Sequence, residues 1–192
     1  MSQIMLRRAL VLGAACAAIA AAPALAGGMK GEKTVMVGGA AMYPSKTIVE
    51  NAVNSKDHTT LVAAVKAAGL VDTLAGPGPF TVFAPTNAAF AKLPAGTVET
   101  LLKPENKGQL TSVLTYHVVP GRMSAADLAA MAKANGGRAT LTTVQGGTLT
   151  VSGAGGHWMV TDATGASARI TIADVNQSNG VIHVVDKVLL PG

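Results

Sequence analysis

The hydrophobic pattern of this chain changes its period after residue 138, and this change restricts the fold class more than any other feature. Upstream, Leu61, Val65 and Ala68 recur at helical spacing, and Gly69 stands where a left-handed residue would end the helix. Downstream, apolar and polar residues alternate with a period of two, which is typical of strands. Helices followed by a strand-rich half predict an α+β fold.

The strand-rich half is expected to begin with two hairpins. Gly146-Gly147 is a two-residue hairpin signal, and a second turn is expected around Gly165. The strands that flank these turns are residues 138–144, 148–151, 158–161 and 168–175.

The last predicted strand, Val181 to Leu190, is apolar on both faces and is opened by Asn179-Gly180. A strand with two apolar faces is covered on both sides. We therefore expect it to lie in the middle of the sheet.

Turn and capping signals divide the first half into one strand and several short helices. Gly-Pro-Gly-Pro at 76–79 forces a turn, the strand 80–83 follows, and Pro85 ends it. Thr86 or Asn87 is expected to cap the next helix with a side-chain oxygen. Two further helices are expected to begin with capping boxes, Asn106-x-x-Gln109 and Ser124-x-x-Asp127.

Between those two helices, Tyr116 to Val119 is predicted to be a strand that ends at Pro120-Gly121. Alternation along a strand would send Tyr116 and His117 to opposite faces. A lone imidazole among valines is expected to be a buried, hydrogen-bonded core group rather than a catalyst.

Three segments occur in a fixed order along the chain: 78–90 (GPFTVFAPTNAAF), 116–121 (YHVVPG) and 179–191 (NGVIHVVDKVLLP). Read together, they resemble the fasciclin domain from about Thr47 to the end of the chain. The resemblance implies a compact β-sandwich or wedge with helices packed from the N-terminal half. It also implies an extracytoplasmic domain associated with adhesion and protein interaction. The fold-defining positions it implies are Phe80, Thr81, Phe83, Pro85, Thr86, Phe90, Tyr116, His117, Gly180, His183 and Asp186.

The first 26 residues are predicted to be a signal peptide. Arg7 and Arg8 precede an alanine-rich apolar run from Ala9 to Ala22, and Ala24-Leu25-Ala26 ends in a small-x-small pattern. Cleavage after Ala26 would make the protein secreted or periplasmic, with no transmembrane span in the mature chain.

Cys16, the only cysteine, lies inside this leader. Cleavage after Ala26 would leave a mature chain without thiols, and therefore without disulfides or thiolate metal sites. The alternative is a lipoprotein in which Cys16 becomes the lipidated N-terminus.

The charge pattern excludes a nucleic-acid partner. The net charge of the whole chain is +5, and its lysines are scattered singly among acids, without the basic stripe that nucleic-acid binding requires.

Residues 27–45 are predicted to form a glycine-rich arm that is flexible or loosely docked, ahead of a single domain at 46–192. Met29, Met36, Met42 and His58 leave open a copper(I) site, although no Met-x-Met or His-x-His spacing brings them together. No other metal and no cofactor is predicted.

Catalytic motifs are missing from the sequence. It has no Gly-x-Ser-x-Gly, no phosphate-binding glycine loop with lysine and no His-Glu-x-x-His. The four histidines, His58, His117, His157 and His183, have no ligand spacing. The chain is therefore not expected to be an enzyme.

The residues and the resemblance together predict a non-catalytic module for cell adhesion or cell-surface protein binding, with a partner of unknown identity. The candidate interaction residues are Asn106, Lys107, Tyr116 and Trp158. In some adhesion proteins of the family an acidic residue, needed to contact an integrin, stands where this chain has Gly108. A lipid-anchored or self-associating envelope protein and a homo-oligomer stay open as alternatives.

Overall fold

The computed structural model describes residues 33–154 and 156–192, which contain seven α-helices, two short 3₁₀ helices and nine strands. The helices are α1 (Ile48–Ala52), α2 (Thr59–Ala68), α3 (Val71–Ala75), α4 (Asn87–Ala91), α5 (Thr97–Leu101), α6 (Lys107–Tyr116) and α7 (Ala125–Ala134), with 3₁₀ turns at Lys56–His58 and Pro104–Asn106. The strands are β1 (Val35–Val37), β2 (Ala40–Met42), β3 (Phe80–Pro85), β4 (Val118–Pro120), β5 (Arg138–Thr142), β6 (Thr148–Ala154), β7 (His157–Thr161), β8 (Ser167–Gln177) and β9 (Gly180–Val185).

Seven of the strands form one sheet in the order β4-β3-β9-β8-β7-β6-β5. All neighbours are antiparallel except β3 and β9, which run parallel. The sheet curves until its two edges approach, and the Val144 N–H donates to the Val118 carbonyl at 2.8 Å across them. The predicted α+β class, with a wedge-like sheet and helices from the N-terminal half, is confirmed.

The central position predicted for the last strand is also confirmed. β9 lies between β3 and β8, and all six of its residues are buried. It ends at Val185, earlier than the predicted Leu190, and the chain continues without regular structure through the buried Val188 and Leu189.

Two apolar cores lie on the two faces of the sheet. The first packs helices α1 to α6 and the β1–β2 hairpin against β3 and β9, through side chains such as Leu61, Val65 and Ile182. The second is enclosed by the curved sheet and by α7, with Leu128 and Leu149 completely buried.

The segment predicted to be a flexible or loosely docked arm, residues 27–45, is described by the structure from residue 33 onward. Strands β1 and β2 form an antiparallel hairpin around Gly38-Gly39, and Val37 and Met42 are buried in the first core. These side chains dock the hairpin on the domain, so the segment from residue 33 onward is not a loose arm. The predicted leader, Cys16 and Met29 lie outside the described residues.

Two local predictions around α6 are wrong. Tyr116 is the last residue of α6 and His117 is its C-cap, so the strand begins only at Val118. The helix continues because its apolar stripe, Leu110, Val113 and Leu114, extends to a buried Tyr116. The box at Asn106 does not form, since the Asn106 amide donates instead to the Thr100 carbonyl at 2.8 Å.

Other capping predictions are confirmed. Thr86 accepts from the Ala89 N–H at the start of α4, and Ser124 with Asp127 forms a complete capping box at the start of α7. A further box, Thr47 with Glu50, starts α1 and was not predicted.

Within residues 33–154 and 156–192, no helix has the length and apolar character needed to cross a membrane.

Candidate interaction surface

The tyrosine–histidine pair lies inside the domain. Tyr116 is 0% exposed and His117 is 2% exposed. The Tyr116 hydroxyl donates to the Thr148 carbonyl at 2.7 Å and accepts from the Ala163 N–H at 2.9 Å, and burial raises the pKa of this phenol. No surface of Tyr116 is left for a partner, which corrects its prediction as an interaction residue.

His117 links α6 to the C-terminal segment through both ring nitrogens. Its Nε2 accepts from the Leu189 N–H at 3.0 Å, so the ring proton resides on Nδ1 and is donated to the Val113 carbonyl at 2.7 Å. Burial lowers the pKa of His117 to about 4, against the smaller opposing effect of the Val113 carbonyl. The ring is therefore neutral at pH 7, and both of its nitrogens are already used.

His183 forms a second buried junction. Its Nδ1 accepts from the Asp174 N–H at 3.3 Å, its Nε2–H donates to the Met123 carbonyl at 2.9 Å, and its ring stacks on Phe83 with 5.7 Å between centroids. Desolvation by burial lowers the pKa of this imidazole. The side chain thus joins β9 to β8 and to the segment before α7.

Asp174 was missed by the sequence analysis. It adopts a left-handed conformation with φ of 56° at an irregularity in β8, and its Oδ1 accepts from the Ala125 N–H at 2.7 Å. The carboxylate therefore binds the first turn of α7, and a contact between segments so far apart in the chain has no local sequence signal.

The remaining fold-defining positions also make contacts inside the domain. The Thr81 hydroxyl donates to the Gly121 carbonyl at 2.6 Å and accepts from the Met123 N–H at 2.9 Å. Asp186 accepts from the Arg169 N–H at 2.8 Å. Pro85 and Phe90 are buried, Phe80 is half-buried and opens β3, and Gly180 faces it in register. That these positions define the fold stays a prediction.

A cluster of side-chain amides holds α1 to the β8–β9 turn, and no sequence pattern predicted it. The Asn179 side chain accepts from the Ile48 N–H at 3.0 Å and donates to the carbonyls of Leu74 and Gly76 at 2.8 and 2.9 Å. Beside it, the Asn51 amide donates to the Gln177 side chain.

Asn106 and Lys107 stand at the start of α6, whereas Tyr116 ends it. Ten helical residues span about 15 Å, so the structure does not bring these predicted interaction residues together with Tyr116. Lys107 is exposed, and Asn106 is half-buried.

Trp158 lies on β7 and is half-buried against the second core. Its indole ring lies over Gly153 on the neighbouring strand β6, where a Cβ atom would sit 3.6 Å from the ring. One part of the ring is thus packed and the other faces solvent.

Three of the large exposed apolar side chains belong to the β1–β2 hairpin or to the end of α1, and we call them the hairpin surface: Met36, Tyr43 and Val53. They are 59%, 42% and 47% exposed, and the only other large apolar side chain exposed in the described part is Val144, at 46%. Met36 lies on the outer face of β1, Tyr43 follows β2 and Val53 caps α1.

Backbone and side-chain contacts hold the hairpin surface in place. The Tyr43 N–H donates to the Asn51 side chain at 3.0 Å, and the Asn51 amide donates back to the Tyr43 carbonyl at 2.8 Å. The Lys46 ammonium lies 5.2 Å from the centre of the Tyr43 ring. The hairpin surface thus combines apolar side chains, held by these contacts, with the positive charge of Lys46 beside Tyr43.

Met36, one of the residues considered for copper, lies apart from the other described ones, Met42 and His58, which line one cavity; Met29 lies outside the described residues. Met36 is exposed on one face of the hairpin, while Met42 is buried on the other. Among the described residues, no group of three or more histidine, cysteine, aspartate or glutamate side chains is arranged to hold a metal ion.

Comparison with known families gives one clear match: the family model of the fasciclin domain matches residues 56–191. Protein sll1483 of Synechocystis sp. is 51% identical over 160 residues, covering 83% of this chain and 82% of that protein. Immunogenic protein MPB70 of Mycobacterium bovis is 40% identical over 143 residues, covering 72% of this chain and 65% of that protein.

A further relative, the cell surface glycolipoprotein MPB83 of Mycobacterium bovis, is 43% identical over 122 residues, covering 64% of this chain and 48% of that protein. Among solved structures, the FAS1 domain pair of the insect cell adhesion molecule fasciclin I matches with a TM-score of 0.69 and 20% identity. That match covers 77% of this chain and 52% of the insect chain, and it shows a shared fold.

Proposed function

The chain belongs to the fasciclin domain family, and on that basis we propose that it is a non-catalytic interaction module that acts outside the cytoplasm. Its leader, residues 1–26, is removed after Ala26, and the mature domain binds a protein or another component of a cell surface. The contact is made through the hairpin surface.

The observation that carries this proposal is the position of the exposed apolar side chains. Single exposed apolar residues are normal on protein surfaces, but three of the four large ones in the described part belong to the hairpin and to α1, which Asn51 joins through its hydrogen bonds to Tyr43. Methionine and tyrosine are enriched where proteins meet, because both offer a large contact area. The buried Tyr116 cannot take this role.

The hairpin surface suits a partner that is apolar at its centre and acidic at its rim. Met36 and Val53 offer no hydrogen-bonding side-chain atoms, whereas Lys46 adds a positive charge beside Tyr43. Asn106 and Lys107 at the start of α6, and Trp158 on β7, belong to other elements. We propose them as secondary contacts that contribute less to binding than the hairpin surface.

We expect the double variant Met36→Ser, Val53→Ser to bind host cells or their isolated envelopes at least tenfold more weakly than the unchanged protein. Truncating one of the few interface residues that carry most of the binding energy costs about 2 kcal/mol or more, which corresponds to this factor or more. The measurement is a saturation curve with labelled mature protein.

Val144→Ser is the matched control, because Val144 is exposed to a similar extent but lies beyond β5. Changes at exposed positions are expected to alter the free energy of unfolding by less than about 0.5 kcal/mol. Urea unfolding should therefore give similar midpoints for all variants. Equal binding by the double variant and the control would contradict the proposal.

The relative described as a cell surface glycolipoprotein supports a second proposal, that Cys16 is lipidated and anchors the domain. An intact mass of protein purified from its host distinguishes the two. A chain that starts at Gly27 supports the free module, and a lipid-modified chain that starts at Cys16 supports the anchored one.

A further inference from the structure

Strands β5 to β8 leave one side of the sheet open to solvent. Their buried side chains, such as Leu141 and Val160, face the second core, so the alternate side chains point outward. Most of these outward side chains are short and carry a hydroxyl group. We call this surface the hydroxyl face and define it by residues that are exposed or half-buried: Thr140, Thr142, Thr148, Thr150, Thr161 and Ser167.

The strand registers align four of these hydroxyl groups in one row across the sheet. Neighbouring strands lie about 4.8 Å apart, so a row over four strands is about 14 Å long. The Thr140 and Thr150 hydroxyls have no hydrogen-bond partner among the described residues, so they are available to a ligand. From β5 to β8, the row consists of Thr140, Thr150, Thr161 and Ser167.

A second row, displaced by two residues along each strand, has an arginine at each end. Arg138 on β5 and Arg169 on β8 are exposed, and Ser152 and Met159 lie between them in register. The backbones of the two arginines are therefore also about 14 Å apart. His157 stands beside this row, and the Arg169 guanidinium donates to its Nδ1 at 2.8 Å.

The positive charge of the two arginines is not neutralised by nearby acids. Residues 138–171 contain a single carboxylate, Asp162, and its side chain is buried. Asp186 accepts from the Arg169 backbone N–H, but its charge is paired with Lys92, and this is the one ion pair among the described residues. Both guanidinium groups are thus left for an anionic partner.

The side chains of the hydroxyl face suit a partner that is rich in hydroxyl groups and negatively charged. A hydroxyl group both donates and accepts, so a threonine and a sugar can bond in either direction. Arginine binds a carboxylate through two parallel hydrogen bonds. Serine and threonine are under-represented among the residues that carry the binding energy between proteins. A carbohydrate is therefore favoured over a protein as the partner of this face.

We propose that the hydroxyl face binds an extended acidic polysaccharide. The polysaccharide lies across the strands, its carboxylates pair with Arg138 and Arg169, and its hydroxyl groups bond to Thr140 and Thr150. The hydroxyl face shares no residue with the hairpin surface, so either surface can fail its test while the other stands. The contacts are made by side chains, and the strand N–H groups are already bonded within the sheet, so backbone hydrogen exchange in β7 should change little on binding.

The test titrates the protein with polygalacturonate, which has a carboxylate on every sugar, and with its methyl ester, which has the same chain without the charge. Isothermal titration calorimetry at physiological ionic strength measures both affinities. We expect saturable binding of polygalacturonate and much weaker binding of the ester. The absence of saturable binding of polygalacturonate would overturn the proposal, and so would equal affinity for the ester.

Arg138→Gln and Arg169→Gln should each weaken the binding of polygalacturonate about fivefold, because each removes one exposed ion pair. The double variant should lose about 25-fold, since sites this far apart act independently. Lys103→Gln is the matched control, because it removes the same charge from an exposed side chain that follows α5. If it weakens binding as much as either arginine variant, the net charge alone explains binding and the proposed site is wrong.

The double variant Thr140→Val, Thr150→Val removes two hydroxyl groups but keeps the branched shape that suits a strand. It should bind polygalacturonate about tenfold more weakly, through the loss of two neutral hydrogen bonds. Poly-L-glutamate, an acidic polymer without hydroxyl groups, should bind this variant and the unchanged protein equally. Undiminished binding of polygalacturonate would contradict the proposal. Tighter binding of poly-L-glutamate than of polygalacturonate would instead assign the face to an acidic protein.

Discussion

Replacing Gly180 by alanine is expected to prevent the domain from folding, or to lower its free energy of unfolding by more than about 4 kcal/mol. A Cβ atom at this position would lie 2.1 Å from the Phe80 carbonyl oxygen and 3.0 Å from the Ile48 side chain. Phe80 and Gly180 are in register on the parallel strands β3 and β9, so the clash forces apart the centre of the sheet. Far-UV circular dichroism and urea unfolding measure the effect.

Gly108→Ala is the control for this substitution. Gly108 lies in α6, and a Cβ atom there would have no neighbour within 4 Å. Alanine should stabilise the helix by about 0.5–1 kcal/mol, because it loses less conformational freedom on folding. Normal stability of Gly180→Ala beside a stabilised Gly108→Ala would show that β3 and β9 do not approach as closely as described.

Acid should destabilise the domain between about pH 6.5 and pH 4, and His117 should account for much of the loss. The pKa of His117 falls from 6.5 to about 4 on folding because the ring is buried. Between these values the unfolded chain binds a proton that the folded chain does not, so stability decreases as the pH falls. A pKa difference of this size lowers the free energy of unfolding by about 3 kcal/mol at and below pH 4.

His58 and His183, whose pKa values are also lowered by burial, contribute in the same direction. The carboxyls of Glu50 and Asp127 act in a different window: their capping hydrogen bonds hold the pKa below 4.5 and 3.8 respectively, so their contribution disappears only at lower pH. The loss above pH 4.5 therefore reports mainly the histidines.

The measurement is urea unfolding at a series of pH values for the unchanged protein and for His117→Gln, which cannot be protonated. The variant should be less stable at pH 7, because glutamine does not reproduce both hydrogen bonds of the ring. Its stability should also change less between pH 6.5 and 4. A variant with the same pH dependence as the unchanged protein would assign the acid sensitivity to other groups.

Much of the fold was predictable because it depends on local patterns. The period of two identified the strands β5 to β8, and the double-sided apolar run placed β9 at the centre. Thr86 and Ser124 were found as caps because a cap requires only a side-chain oxygen beside a free N–H.

The β1–β2 hairpin has a local sequence signal, the pair Gly38-Gly39, which the sequence analysis did not use. Gly38 and Gly39 have φ of 58° and 76°, as a two-residue turn between strands requires. A second Gly-Gly pair, Gly146-Gly147, predicts a two-residue hairpin turn, but β5 ends at Thr142 and β6 begins at Thr148, so the connecting loop is longer. Because the strands of the first hairpin have only three residues each, periodicity alone could not reveal them.

The candidate site was less predictable, since it depends on which side chains remain exposed after packing. Tyrosine is a residue type that is enriched in interfaces. Tyr116 is nevertheless buried, and its hydroxyl bonds to Thr148 and Ala163, which lie far along the chain.

The most direct test of the proposed function is hydrogen–deuterium exchange of the domain, free and bound to envelopes of its host. Binding through the hairpin surface predicts slower exchange at residues 34–43 and 51–54, with little change at α6 and β7. Protection confined to Asn106, Lys107 and the strand of Trp158, with none at the hairpin, would contradict the account.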